Sequence, residues 1–137
     1  MANNVLSAAA NQSGVVPRSF TAGAAVTAFS VVKYDSTEGQ VIHTTAITED
    51  VVGVAQATVA SGLQVPVITM AGATVKVRAG ATITVGQELM PKAAGDGTVD
   101  VAAGATAVSC GVAISAGASG ETILMMLRPG VKSPANP

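Results

Sequence analysis

Tryptophan is absent from this 137-residue chain, and Phe20, Phe29 and Tyr34 are its only aromatic rings. Although 49% of the residues are formally hydrophobic, most of these are Ala and Val. A fully buried Val, Leu, Ile, Phe or Met side chain contributes about 1.5–3 kcal/mol, so a core built mainly of Ala and Val is thin for one domain of this length. The shortfall predicts further burial, against an oligomer partner or a large partner surface. The lack of aromatics also disfavours a small-ligand-binding or enzymatic barrel, because pockets set a few polar groups within apolar and aromatic walls.

Charge is equally scarce. Lys and Arg number 7 against 8 Asp and Glu, and charged residues make up 11% of the chain. No basic footprint for nucleic acid and no polybasic tract for anionic lipid is present. The surface must then be largely Thr, Ser, Ala and Gly, which suits a protein packed within an assembly. No run reaches the roughly 20 apolar residues of a membrane-spanning helix. The opening Met1-Ala2-Asn3-Asn4-Val5-Leu6 lacks a positive n-region, so secretion by a signal peptide is not expected.

The parts of an active site are missing as well. Cys110 is the single cysteine, so no intrachain disulfide or cysteine metal cluster can form. It sits in the apolar run Ala-Val-Ser-Cys-Gly-Val-Ala and reads as a small buried hydrophobe. His43 is the single histidine, which removes the usual parts of a Ser-His-Asp triad or a multi-histidine metal site. Glu49-Asp50 at a turn reads as solvated charge rather than a cation or acid/base pair. Asp96-Gly97 is a hairpin signal. Lys92 after Met90-Pro91 brings a swinging-arm lysine to mind, but its flanks do not reproduce that hallmark. The reading is a non-enzyme without cofactor or metal.

What the chain does contain is short strand-like runs broken by Gly, Asp and Pro. The candidates are Val26–Lys33, Gln40–Thr44, Val51–Val59, Leu63–Met70, Ala73–Ala79, Thr82–Val85, Glu88–Pro91, Thr98–Ala102, Val108–Ser115 and Thr122–Arg128. Period-2 alternation recurs, and no window keeps a helical stripe. Residues 1–19, rich in Ala, Asn and Ser, read as an extended N-terminal arm that could reach about 60 Å at roughly 3.3 Å per residue. Residues 20–131 form the β domain, and 132–137 a C-terminal coil.

The domain carries an internal repeat. Gly53–Gly72 and Gly111–Gly130 align without gaps, 58 residues apart, with seven of twenty positions identical. The same offset pairs Gly39 and Val41 with Gly97 and Val99, and with one gap Gly23-Ala24-Ala25-Val26-Thr27 matches Gly80-Ala81-Thr82-Ile83-Thr84. Two tandem repeats follow, one at about 23–72 and one at about 80–130, joined by a linking strand at 73–79. The fold class expected is all-β, a small compact β-barrel or sandwich (β-tulip-like) with pseudo-twofold symmetry. Ile123-Leu124-Met125-Met126-Leu127 is apolar at every position, so both its faces need cover. Either it is a central strand of one chain, or Leu124 and Met126 lie at a subunit interface.

The ordered series Gly-Ala-Ala-Val-Thr, Val-Val-Lys-Tyr-Asp, Gly-Gln-Val, Glu-Asp-Val-Val-Gly-Val-Ala-Gln-Ala, Val-Arg-Ala-Gly-Ala-Thr-Ile-Thr-Val-Gly-Gln-Glu-Leu-Met-Pro, Asp-Gly-Thr-Val and Cys-Gly-Val-Ala-Ile-Ser-Ala resembles the capsid cement (decoration, head-stabilising) proteins of tailed phages. The resemblance covers about Phe20 to Arg128 and brings no catalytic motif. It implies a structural protein on the outer surface of the expanded capsid, bound to the major capsid protein, with a homo-oligomer, a trimer by preference, as its form. Val5, Leu6, Val15, Val16 and Phe20 are the expected capsid-binding anchors of the arm, which could pair with the shell as an added strand. A head-fibre base or an adhesin-like β domain is the competing class.

Overall fold

The computed structural model describes residues 15–93, 96–103 and 107–132. These form ten strands: β1 Arg18–Ala22, β2 Val31–Tyr34, β3 Gln40–His43, β4 Gly53–Ala55, β5 Gln64–Ile68, β6 Thr74–Arg78, β7 Glu88–Pro91, β8 Val99–Val101, β9 Val108–Ala113 and β10 Thr122–Lys132. No helix occurs among the described residues, as the alternating pattern predicts.

The first five strands close into a barrel in the order β1-β3-β2-β4-β5. β1 completes the ring by pairing parallel to β3 and antiparallel to β5. The second five form a sheet in the order β6-β10-β9-β7-β8. A single parallel bridge, Ala79 to Val99, joins its two edges. Taken around that bridge, the second sheet follows the path of the first, strand for strand.

The correspondence extends to single hydrogen bonds. The Gly23 N–H donates to the Val41 carbonyl at 2.9 Å, and the Gly80 N–H to that of Val99 at 2.8 Å. Val26 and Val59 exchange two bonds, as do Ile83 and Gly117. The Gly62 N–H donates to Ala22 and the Gly120 N–H to Ala79. Both acceptors here are barrel residues, and both donors sit in a Ser-Gly turn at positive φ, 89° and 92°, a conformation glycine adopts without a Cβ penalty. The interiors correspond as well. Ala22, Val26, Val32, Val41, Ala55, Val65 and Val67 fill the first barrel. Ala79, Ile83, Leu89, Val99, Ala113, Ile123 and Met125 stand at the matching positions in the second. The Gly-Val-Ala motif has a steric origin. A Cβ on Gly53 would lie 2.1 Å from the Ile68 carbonyl oxygen, and one on Gly111 2.3 Å from that of Met126.

One place where the halves differ is also the place that joins them. In the first barrel the Thr21 N–H donates directly to the Gly39 carbonyl, at 3.0 Å. At the matching place in the second, residues 29–31 of the first half lie between the partners. The Arg78 N–H donates to Phe29 at 2.9 Å, and the Val31 N–H donates to Gly97 at 2.8 Å. Val31, Val54 and Ile68 point out of the first barrel, yet they are buried in one cluster with the interior of the second. The two sheets therefore share a core.

Among the expected strands, Thr82–Val85 is reduced to one bridge, and Val26–Lys33 keeps β2 with Val26 in a separate bridge. Val26 and Ile83 each hold one isolated bridge, because a turn interrupts Val26–Lys33 and another follows Ile83. Ala73–Ala79, expected to link two halves, is β6, an integral strand of the second sheet. β1 begins at Arg18, inside the segment expected to be a free arm. Its partners Val65, Pro66 and Val67 come from far along the chain, which is why Arg-Ser-Phe-Thr-Ala does not announce itself as a strand.

Candidate interaction surfaces

The five residues expected to anchor an arm are not equivalent. Val5 and Leu6 lie outside the described residues. Val15 is half-buried and packs against the larger core cluster. Val16 is 75% exposed. Phe20 belongs to β1, opposite Val65, and packs against the first barrel's interior. Its ring meets Tyr34 edge-on, with centroids 6.0 Å apart, a favourable arrangement for two aromatic quadrupoles. Tyr34 itself is 64% exposed. It pairs with Val41, so its ring reaches solvent from the end of β2.

Leu124 and Met126 come together on the outward face of β10, both half-buried, while Ile123, Met125 and Leu127 point inward. β10 is central, flanked by β6 and β9, so its backbone is satisfied within the chain. Among the described residues the outward face is not fully covered. Met126 stands opposite Val112 on β9 and Thr74 on β6, and Leu124 opposite Lys76. Ile114, just past β9, is 43% exposed. The result is an apolar patch of Val112, Ile114, Leu124 and Met126, edged by Lys76 and by the Arg128–Glu88 ion pair at 2.7 Å. Val112 and Ile114 were not singled out from sequence. Their signal is alternation, since Val112 and Ile114 flank the inward-facing Ala113.

The polar groups are engaged in holding the fold. His43 Nε2 accepts the Thr27 N–H at 3.1 Å, which requires the neutral ring. Burial lowers its pKa, the Arg78 guanidinium lowers it further, and Asp96 opposes them. Arg78 donates to Ser30 Oγ and to the Asp96 carbonyl, each at 2.7 Å, so this group of side chains fastens the seam between the halves. Glu49 accepts the Thr45 and Ala46 N–H groups at 2.6 and 2.9 Å and pairs with Lys33. Burial pushes its carboxyl upward, but the Lys33 and backbone hydrogen bonds outweigh that and hold it below the usual range. Lys92 Nζ donates to the Gly80 carbonyl at 2.7 Å. Cys110 is wholly buried, and burial pushes its thiol up to about 12. Among the described residues no group of three or more His, Cys, Asp or Glu could hold a metal ion. These polar groups are thus engaged within the fold, and apolar side chains are left partly exposed at the surface.

Residues 12–128 match the family described as phage cement protein. No curated protein matches the chain. Among solved structures, the N base of the head fiber gp8.5 of bacteriophage phi29 has the same fold, with a TM-score of 0.66 at 22% identity. The match covers 87% of this chain and 99% of that one.

Proposed function

Because the chain belongs to the phage cement protein family and so has its place on the virion capsid surface, we propose that it binds the outside of the expanded shell and stabilises it by bridging neighbouring capsomers. The carrying observation is the family match over residues 12–128, which takes in almost the whole described body. The physics supports the role. A ligand that binds the expanded shell and not its precursor stabilises the expanded form by mass action. Many copies on a repeating lattice add avidity to weak single contacts.

The partner is the major capsid protein, and the working form is a homo-oligomer, a trimer by preference. The first fourteen residues act as an arm along the shell, with Val5 and Leu6 as apolar anchors, continued by the exposed Val16. Deletion of residues 2–14 stops short of Val15 and β1. It is expected to weaken capsid binding at least tenfold while leaving the melting temperature unchanged. Unchanged binding would remove the arm from the account.

We read the protein as having no enzymatic role. Its one cysteine is buried with a raised pKa, and its one histidine is engaged by a backbone N–H. The likeness to a head fiber base favours a second reading, a base that carries a fibre at selected capsid sites. A cryo-EM reconstruction of decorated particles separates the two. The cement reading predicts density repeated over the whole shell; density confined to fibre or tail positions would overturn it.

A further inference from the structure

We infer that the outward face of β9 and β10 is the surface through which two copies of this chain associate. The inference deepens the self-association proposed above and rests on it. It starts from a pair of matching residue triples. Val31, Val54 and Ile68 lie side by side across β2, β4 and β5. Glu88, Val112 and Met126 lie side by side across β7, β9 and β10. The hydrogen bonds around them match. Ala55 N–H donates to Ser30 and Ala113 N–H to Gln87; Gln56 N–H donates to Pro66 and Ile114 N–H to Leu124.

The two triples have different fates. The first is fully buried because the second half of the same chain covers it. The second is only half-buried. This fold thus already packs one unit on another through this face, and among the described residues the same face of the second unit stays half-exposed, with Glu88 engaged at its edge. Val112 repeats Val54 and Glu88 stands in place of Val31, so the face carries one charge at its edge and gains apolar area beside the triple. Met126 replaces Ile68, and Leu124 and Ile114 stand where the first half has Pro66 and Gln56. Met adapts its shape to a facing surface.

The face is also continuous with the seam between the halves. Leu124 stands opposite Lys76, and the Lys76 ammonium lies over the Phe29 ring, 5.8 Å from its centroid. Phe29 belongs to the segment that joins the two barrels. A second copy laid on β9 and β10 extends an interface the chain already contains. At the rim, Lys76 and Arg128 supply positive charge beside Glu88, so a copy turned about a rotation axis can set unlike charges against one another. Apolar centre and polar rim is the usual anatomy of such a contact.

The test is sedimentation equilibrium of the full chain, compared with Ile114→Glu, Met126→Glu and, as an off-face control, Leu63→Glu. Ile114 and Leu63 are both exposed, so neither variant threatens folding. The expected result is an oligomeric wild type, an unchanged Leu63→Glu, and dissociation constants raised roughly 30-fold or more in the two face variants. Face variants that associate as the wild type does would overturn the inference. A monomeric wild type whose capsid co-sedimentation is lost in Ile114→Glu would also overturn it, giving the face to the shell and leaving the cement reading standing. An oligomer that Ile114→Glu dissociates, with no binding to capsids by the wild type, would uphold the face and defeat the cement reading.

Discussion

At the scale of single residues, close packing of backbone against backbone sets the tightest requirements. Gly53 and Gly111 face carbonyl oxygens at distances no Cβ tolerates, and the obstacle is backbone rather than a flexible side chain. Gly111→Ala must therefore push β10 away from β9. We expect a loss of about 1–3 kcal/mol and a melting temperature lower by roughly 5–10 °C; an unchanged melt would show that the strands can part without cost. Two ionisable residues predict the response to acid. His43 is neutral in the folded chain with its pKa below 6.5, so its contribution is fully present above that value and is lost as pH falls toward the folded pKa. Glu49 has its pKa below 4.5, so its contribution disappears in a second, more acidic window. Chemical denaturation across pH should show stability falling in both windows. In His43→Gln the first fall should vanish, and its persistence would place the titrating group elsewhere.

At the scale of elements, the seam formed by residues 29–31 holds the two halves together. It completes the second barrel's hydrogen bonds, and Val31, Val54 and Ile68 fill the space between the units. The halves should therefore unfold as one. Ile68→Ala removes buried volume at the shared core and should cost about 2–5 kcal/mol within a single transition by calorimetry. Separate melting of two units would contradict a shared core. This is also the level at which the sequence is least informative. The Gly-Val-Ala and Ser-Gly signatures could be read directly, because they mark a close approach and a positive-φ turn that only glycine serves. The apolar run Ile123–Leu127 likewise showed that one strand has two faces to cover. β1 was hidden because Arg18–Ala22 holds only Phe20 and Ala22 as apolar residues and takes its conformation from β3 and β5. The seam left no mark in composition. It depends on backbone groups of Phe29 and Val31, which any residue type supplies, and on Phe29 holding a φ of 65° where the matching position is Gly86.

At the scale of the whole molecule, a thin core of Ala and Val is supplemented where the outward face of the first barrel packs onto the interior of the second sheet, and some apolar surface stays exposed. That division explains how an exposed Tyr34, Val16 and Ile114 coexist with a chain so poor in large side chains. It also assigns different surfaces to different partners. Under the proposals made above, the N-terminal arm would meet the shell and the β9–β10 face another copy. The central claim is that this body cements the expanded capsid, and its most direct test is co-sedimentation of the purified chain with expanded, undecorated capsids. The account predicts saturation at a fixed number of copies per capsomer, accompanied by a higher temperature of capsid disruption. Protein that remains in the supernatant over a wide range of concentration and salt would contradict it.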